Sequence, residues 1–190
     1  MKPTKRAKAA LAALACAALT AAAAGQTMEG QSPKDGPAAM KAADSQPILP
    51  TGLGAAIDRD VEKLRAATER FRVASVAIAE GYAAEDRCIE HQPHGAMGYH
   101  FNNLALRDAT LDLAKPEVLV YEKRPDGTFK LNGVEFIVPI AAWTKTEPPT
   151  IMGQNLKRAD SLGFWYLHVW NWGHSPSGLF ADWNPSVKCP

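Results

Sequence analysis

The chain has 190 residues, of which 46% are apolar and 22% are charged. It is therefore long and apolar enough to fold as one domain with a substantial core, and it is neither fibrous nor disordered as a whole. The formal net charge of +1 includes four basic residues among the first eight, so residues 25–190 carry 17 basic and 20 acidic residues, a net charge of −3. Because this part has no excess or cluster of Lys and Arg to neutralise phosphates, we exclude a nucleic-acid partner.

The first 24 residues have the pattern of a secretory signal peptide. Four basic residues precede an uninterrupted run of small apolar residues and Thr over residues 9–24, which ends in four alanines. The run is shorter than the roughly 20 strongly apolar residues that a membrane-spanning helix needs. We predict cleavage after Ala24, a periplasmic or secreted location, and no transmembrane segment afterwards. The alternative is a lipoprotein anchor at Cys16, although Ala13 stands where a lipoprotein signal normally has Leu.

Cleavage would leave two cysteines, Cys88 and Cys189, in an oxidising compartment. Two cysteines in an exported chain favour a disulfide. A bridge between Cys88 and Cys189 would close a long loop of the chain and would stabilise the fold by about 4 to 5 kcal/mol in the chain-entropy model. The alternative is that the Cys88 thiolate is a metal ligand. We predict the disulfide.

Residues 25–52 contain four Pro, four Gly and no aromatic residue, which predicts a disordered linker before a single domain over residues 53–190. At the start of that domain, apolar residues recur at steps of three, four or seven from Ile57 to Tyr82, with charged residues on the other face. This spacing predicts an amphipathic helix over about residues 55–80, closed by Gly81.

From residue 98 onward the pattern changes to strands joined by turns. Pro125, Asp126 and Gly127 predict a hairpin turn, and residues 103–113 could form a short helix. The run over residues 164–170 has no polar alternation, which predicts a central strand covered on both faces. The fold class is therefore α+β, with an N-terminal amphipathic helix backing a mainly antiparallel β-sheet. The predicted strands cover residues 98–101, 117–122, 128–131, 134–139 and 163–172.

Several short motifs resemble those of an uncharacterised family of exported bacterial proteins. They are MGYHF at residues 97–101, VLVYE at 118–122, GVEF at 133–136, YLHVW at 166–170 and PSGLFADWNP at 176–185, together with the C-terminal Cys189. The match covers most of the chain from about residue 74 onward. The resemblance implies a single fold unit and an extracytoplasmic location, and it implies no reaction.

Three polar residues stand in strongly apolar strands and suggest a metal site. His100 and His168 lie in runs where an imidazole should be buried and needs a partner, and Glu135 is a carboxylate in a similar run. Two imidazoles and a carboxylate from neighbouring strands would form a three-ligand site with an open position for Cu, Zn or Fe, provided that they converge within roughly 4 to 5 Å. The alternative is that each His is structural, with a carbonyl or carboxylate as its partner.

The remaining donors fit this site less well. His91 and His94 stand beside Pro and Gly, and we interpret them as surface residues. Strand alternation places Met97 on the face opposite His100, which argues against a thioether ligand for copper. Asp182 is interpreted as a turn former. The alternative is that its carboxylate supports the metal site by contacting a ligand residue instead of the ion itself.

Two functions of different classes follow from these patterns. The leading hypothesis is an exported protein with a transition-metal site at His100, His168 and Glu135 that could be catalytic. The alternative is a non-enzymatic envelope or secreted module that binds a small apolar ligand or a partner protein through the aromatic-rich residues 164–183. Nucleotide-cradling glycine motifs and a G-x-S-x-G elbow are absent from the sequence, which argues against the common nucleotide enzymes and serine hydrolases.

Overall fold

Residues 49–190 are described by the computed structural model of the chain. The predicted signal peptide, Cys16 and residues 25–48 of the predicted linker lie outside the described residues. Leu49 packs against the core, and the Thr51 backbone N–H donates to the Asp58 carboxylate over 2.8 Å. Ordered contacts therefore begin slightly before residue 53. No helix within residues 49–190 is long and apolar enough to cross a lipid bilayer.

Two helices precede the sheet where the sequence predicts one. The hydroxyl of Tyr121, in the sheet, donates to the Phe71 carbonyl over 2.6 Å, and a continuous helix would need that carbonyl for its own i to i+4 ladder. Val73 is extended, and Ile78, which was predicted on the buried face, is 57% exposed. Gly81 ends the second helix with φ of 94°, in the predicted left-handed region. The helices are α1 (Ala55–Thr68) and α2 (Ala74–Ala79), with a 3-10 turn at Glu69–Arg72 between them.

The main sheet is curled, and its six strands pair antiparallel in the order β1-β2-β3-β4-β8-β7. The predicted hairpin turn is confirmed between β3 and β4, where the Gly127 N–H donates to the Arg124 carbonyl over 2.9 Å and φ of Gly127 is 84°. A separate two-stranded sheet pairs β5 with β6. The strands are β1 (Ala83–His91), β2 (Gly95–Asn102), β3 (Val118–Lys123), β4 (Phe129–Pro139), β5 (Thr150–Ile151), β6 (Gln154–Asn155), β7 (Lys157–Ala159) and β8 (Phe164–Val169).

The structure differs from the prediction in several strands and in one connection. The predicted strands over residues 128–131 and 134–139 form the single strand β4, and the short strands β5, β6 and β7 were not predicted. Strand β1 was not predicted, because it is an edge strand with mostly exposed side chains and therefore has no apolar alternation. Strand β8 lies next to the short edge strand β7 and is not central, so its first three residues are only half-buried. Of the predicted helix over residues 103–113, only a 3-10 turn at Leu104–Leu106 forms.

The helices and the sheet share one apolar core. Burial of these side chains is the main source of stability, because apolar surface removed from water contributes about 25 cal/mol per Å². Polar contacts also join the two parts: the Trp172 indole donates to the Thr68 hydroxyl over 2.9 Å. The buried cluster includes Val61, Leu64, Phe71 and Ala77 before the sheet, and Phe101, Leu119, Tyr121, Val134, Phe136 and Val169 within it.

Cys88 on β1 is bonded to Cys189, which confirms the predicted disulfide and is consistent with an exported protein. The alternative role of Cys88 as a thiolate metal ligand is therefore wrong for the oxidised protein. The bridge holds a C-terminal segment in which Val187 is buried against Ala96 and Trp170.

A buried carboxylate completes the hydrogen bonding at the start of β3. Glu117 is 1% exposed, and its Oε2 accepts the Ile137 N–H over 2.9 Å. Burial raises the pKa of Glu117 from 4.5 to about 7, although the Ile137 hydrogen bond opposes the shift. Between these two pH values the folded protein keeps a proton that the unfolded chain releases, so the free energy of unfolding falls as the pH rises.

We expect Glu117→Gln to remove this pH dependence, because the amide oxygen can still accept the Ile137 N–H but cannot ionise. Relative to wild type, the free energy of unfolding of the variant should rise by up to about 3 kcal/mol between pH 4.5 and pH 8.5. Urea denaturation at both pH values measures this change. Glu147→Gln, at an exposed position, is the control. An unchanged difference between the two pH values would show that Glu117 titrates normally.

Candidate metal centre

Three strands carry the predicted ligands onto one face of the sheet. Glu135 on β4 pairs directly with His168 on β8. His100 lies on β2, one strand further away, because β3 runs between β2 and β4. On β3, Val120 pairs with His100 and Val118 pairs with Glu135. These valines are short, so the longer His100 and Glu135 side chains can approach each other above them.

The three side chains converge. His100 Nε2 lies 3.7 Å from Glu135 Oε2, and His168 Nε2 lies 3.8 Å from Glu135 Oε1. One ligand atom from each residue lies within 4.8 Å of those of the other two. Ligands about 2.0 to 2.2 Å from a shared tetrahedral ion are about 3.3 to 3.6 Å apart, so a small side-chain rotation would complete the set. The group could hold a metal ion, and the predicted convergence is present.

The candidate ligands are buried, and burial removes their charges. All three residues are less than 9% exposed, and His168 is only 2% exposed. Burial lowers the pKa of His168 well below its usual value, with a further contribution from His100. Burial also lowers the pKa of His100, and it raises the pKa of Glu135 to about 8. Near neutral pH the metal-free group is therefore uncharged.

His168 has no hydrogen-bond partner among the described residues at either ring nitrogen, Nδ1 or Nε2, although both are buried. A buried polar atom without a partner costs about 1 to 3 kcal/mol. The geometry therefore does not support the alternative that His168 is a structural residue hydrogen-bonded to a carbonyl or carboxylate. A bound ion would satisfy Nε2.

A second carboxylate lies on the other side of the His168 ring. Asp182 Oδ1 is 3.9 Å from His168 Nδ1, and the same oxygen forms a 2.6 Å ion pair with Lys157. Histidine ligands usually donate their second ring N–H to such a carboxylate, which fixes the tautomer and the ring orientation. The position of Asp182 thus suits the alternative suggested by the sequence, in which its carboxylate supports a ligand residue of the metal site.

The three residues border a cavity of about 500 Å³. Met97 lines it as well, so the prediction that Met97 faces away from His100 is wrong. Ile89 pairs with Gly98 while Glu90 pairs with Ala96, so Met97 is an extra residue in a β-bulge and strand alternation fails there. The other lining residues are Glu85, Arg87, Ile89, Asn102, Arg107, Ile137, Ala159, Leu162, Phe164, Tyr166 and Trp183.

The aromatic-rich segment, residues 164–183, divides between core and cavity. Trp170 and Trp172 are buried, as expected of core residues, whereas Phe164, Tyr166 and Trp183 line the cavity. Sequence reasoning missed Arg107 because it lies in the connection between β2 and β3, which carries no catalytic or binding motif.

The other histidines lie away from the centre. His91 and His94 are exposed, as predicted, and their rings stack with centroids 5.3 Å apart. His174 is also exposed. None of the three belongs to the ligand group found among residues 49–190, so the candidate centre consists of the two histidines from apolar strands and Glu135.

Comparison with known proteins adds no further assignment. No protein-family model, no curated protein and no solved structure matches the chain. The resemblance to the exported bacterial family therefore stays a prediction, and function has to be argued from the candidate metal centre.

Proposed function

We propose that this protein is an exported metalloprotein. It holds one divalent transition-metal ion between His100, Glu135 and His168 and uses the open coordination position to bind, and act on, a small molecule in the cavity. The observation that carries the proposal is the buried His168, whose Nε2 lies 3.8 Å from Glu135 and has no hydrogen-bond partner within residues 49–190. The compartment rests on the predicted signal peptide and is supported by the disulfide.

The number of ligands supports a reactive site rather than a structural one. Structural zinc sites are closed by four protein ligands, whereas catalytic sites offer three and leave a position for water or substrate. Here three protein ligands border a cavity of about 500 Å³. An ion in that position would act as a Lewis acid or activate a bound water molecule.

The donor set is compatible with three metals. Two histidines and one glutamate occur in catalytic zinc sites, and two histidines with a carboxylate occur in non-haem iron sites. Met97 lines the same cavity and could supply a soft thioether donor for copper.

Elemental analysis of protein purified from its native compartment tests the proposal and identifies the metal. We expect one Zn, Cu or Fe ion per chain. A metal content well below one per chain, together with no binding of added Zn²⁺, Cu²⁺ or Fe²⁺, would refute the metal centre.

The alternative function is a non-enzymatic module that binds a small apolar ligand in the same cavity. It is favoured by the apolar and aromatic walls, which include Ile89, Ile137, Phe164 and Trp183. This function needs no ion. A metal-free protein that binds an apolar probe equally well before and after treatment with a chelator would favour it over the metal centre.

The carboxylate of Asp182 leads to a further prediction. We expect Asp182→Asn to weaken Zn²⁺ binding about 10- to 100-fold, because the His168 ring loses the carboxylate that orients it. Competition with a chromophoric chelator measures the affinity.

Lys157→Gln is the matched control. It removes the ion pair with Asp182 but leaves the carboxylate 3.9 Å from His168. Zn²⁺ affinity should then be retained. Equal losses in the two variants would mean that the ion pair matters and that the carboxylate has no separate role toward His168.

A further inference from the structure

The cavity contains a cation that the metal centre does not use. Arg107 lines the cavity together with the three ligands. It is half-buried, and its Nε is buried without a hydrogen-bond partner among the described residues. One terminal nitrogen donates to the Asn102 side chain, and the guanidinium lies 5.9 Å from the centre of the Phe164 ring. No carboxylate in the described part of the chain forms an ion pair with it.

The sheet fixes where this guanidinium lies relative to the ion. Asn102 stands two residues after His100 on β2, so the two side chains project from the same face about 7 Å apart. Asn102 also pairs with Val118, whose other neighbour is Glu135. Asn102 therefore stands two residues along β2 from His100 and in the same cross-strand row as Glu135, and the guanidinium that it binds lines the same cavity as the three ligands.

The charges around the cavity favour an anion. Arg87 and Arg107 are opposed by one lining carboxylate outside the ligand set, Glu85, which already accepts the Asn102 amide over 2.8 Å. A divalent ion bound to Glu135 would add a net positive charge. A planar guanidinium with a free N–H is also the group best suited to a carboxylate.

We infer that the cavity takes a small organic carboxylate, held between the bound metal ion and the guanidinium of Arg107, with its apolar body against Phe164 and Leu162. This inference rests on the proposed metal centre and adds the substrate class. Leu162 is 65% exposed although it borders the cavity, so an apolar ligand body would cover it. Arg107 is then a substrate-binding residue.

Co²⁺ gives the metal site a visible absorption spectrum, so the ion and the anion can be followed separately. The protein, with its disulfide intact, is loaded with Co²⁺ and titrated with benzoate as the probe. We expect benzoate to change the spectrum of wild type. Arg107→Gln should have the same Co²⁺ spectrum before benzoate is added but bind benzoate about 10- to 100-fold more weakly, because a hydrogen-bonded charge partner is lost. Arg107→Lys should restore binding only in part.

Two controls define specificity. Arg158→Gln, which alters an arginine paired with Asp160 over 2.8 Å outside the cavity lining, should leave benzoate binding unchanged. Benzyl alcohol, which has the same ring without the charge, should bind weakly and equally to wild type and Arg107→Gln. Thermal unfolding of each variant verifies that it is folded.

The outcomes separate this inference from the metal centre. A normal Co²⁺ spectrum with equal benzoate affinity in wild type and Arg107→Gln would overturn the role of Arg107 and leave the metal centre standing. Binding of inorganic phosphate in place of benzoate would overturn the carboxylate assignment. A protein that gives no Co²⁺ spectrum at all would overturn the metal centre, and this inference with it.

Discussion

Replacing His168 with Ala should abolish stoichiometric metal binding. Four-ligand structural zinc sites reach about 10 to 16 kcal/mol, so one ligand contributes about 2.5 to 4 kcal/mol, which is a loss of about 60- to 700-fold in affinity. His168 should be at least this sensitive, because its Nε2 is buried beside Glu135 and has no hydrogen-bond partner in the part of the chain that the structure describes. Competition titration with Zn²⁺ measures the affinity.

Thermal unfolding provides a second measurement of the same loss. Zn²⁺ should raise the unfolding temperature of wild type, because it binds the folded state, and should leave that of the variant unchanged. His174→Ala is the matched control, since it removes an exposed imidazole outside the ligand group. If both variants bind Zn²⁺ as wild type does, the ion has a different site. If His174→Ala alone loses binding, the ligand set is wrong.

The candidate ligands could be identified from the sequence because burying a polar group without a partner is costly. A histidine or glutamate inside an apolar strand therefore needs an explanation, and His100, Glu135 and His168 stand in such runs. Whether these side chains lie close together depends on the order of the strands in the sheet, which cannot be read from the sequence pattern. Strand β3 separates β2 from β4, and only two small valines there permit the approach.

The features that were missed depend on tertiary contacts or on local irregularity. The predicted long helix is interrupted where the Tyr121 hydroxyl takes the Phe71 carbonyl, and periodicity carries no sign of that bond. Met97 was placed on the wrong face because it is itself the extra residue of a β-bulge, which breaks the alternation. Arg107 reaches the cavity from a connection without regular structure. In each case, the structure departs from the regular period on which the sequence prediction rests.

The disulfide connects stability to the cavity. Cys189 anchors the chain end to β1, and the segment that leads to it contains both Asp182, beside His168, and Trp183, in the cavity wall. Val187 and the Lys188 N–H, which donates to Glu122 over 2.9 Å, are further attachments of this segment. Without the disulfide, the segment is held by these contacts, by the β-bridge between Asn184 and Ala96, and by the Trp170 indole, which donates to the Ala181 carbonyl.

We therefore expect the double variant Cys88→Ala/Cys189→Ala to lose stability and metal affinity together. The cysteines are 101 residues apart in sequence, and closing a loop of that size constrains the unfolded chain by about 4 to 5 kcal/mol. For a domain of this size the thermal midpoint should fall by about 10 to 20 °C. The matched control is wild type treated with reductant, whose thermal midpoint should fall equally, whereas reductant should not affect the double variant.

The Zn²⁺ affinity of the double variant, measured at a temperature where it and wild type are both folded, should be weaker than that of wild type by about 10-fold or more, because Asp182, which orients His168, is then held loosely. Unchanged Zn²⁺ affinity in a destabilised but folded variant would mean that the bridge stabilises the fold without positioning the C-terminal segment at the metal centre.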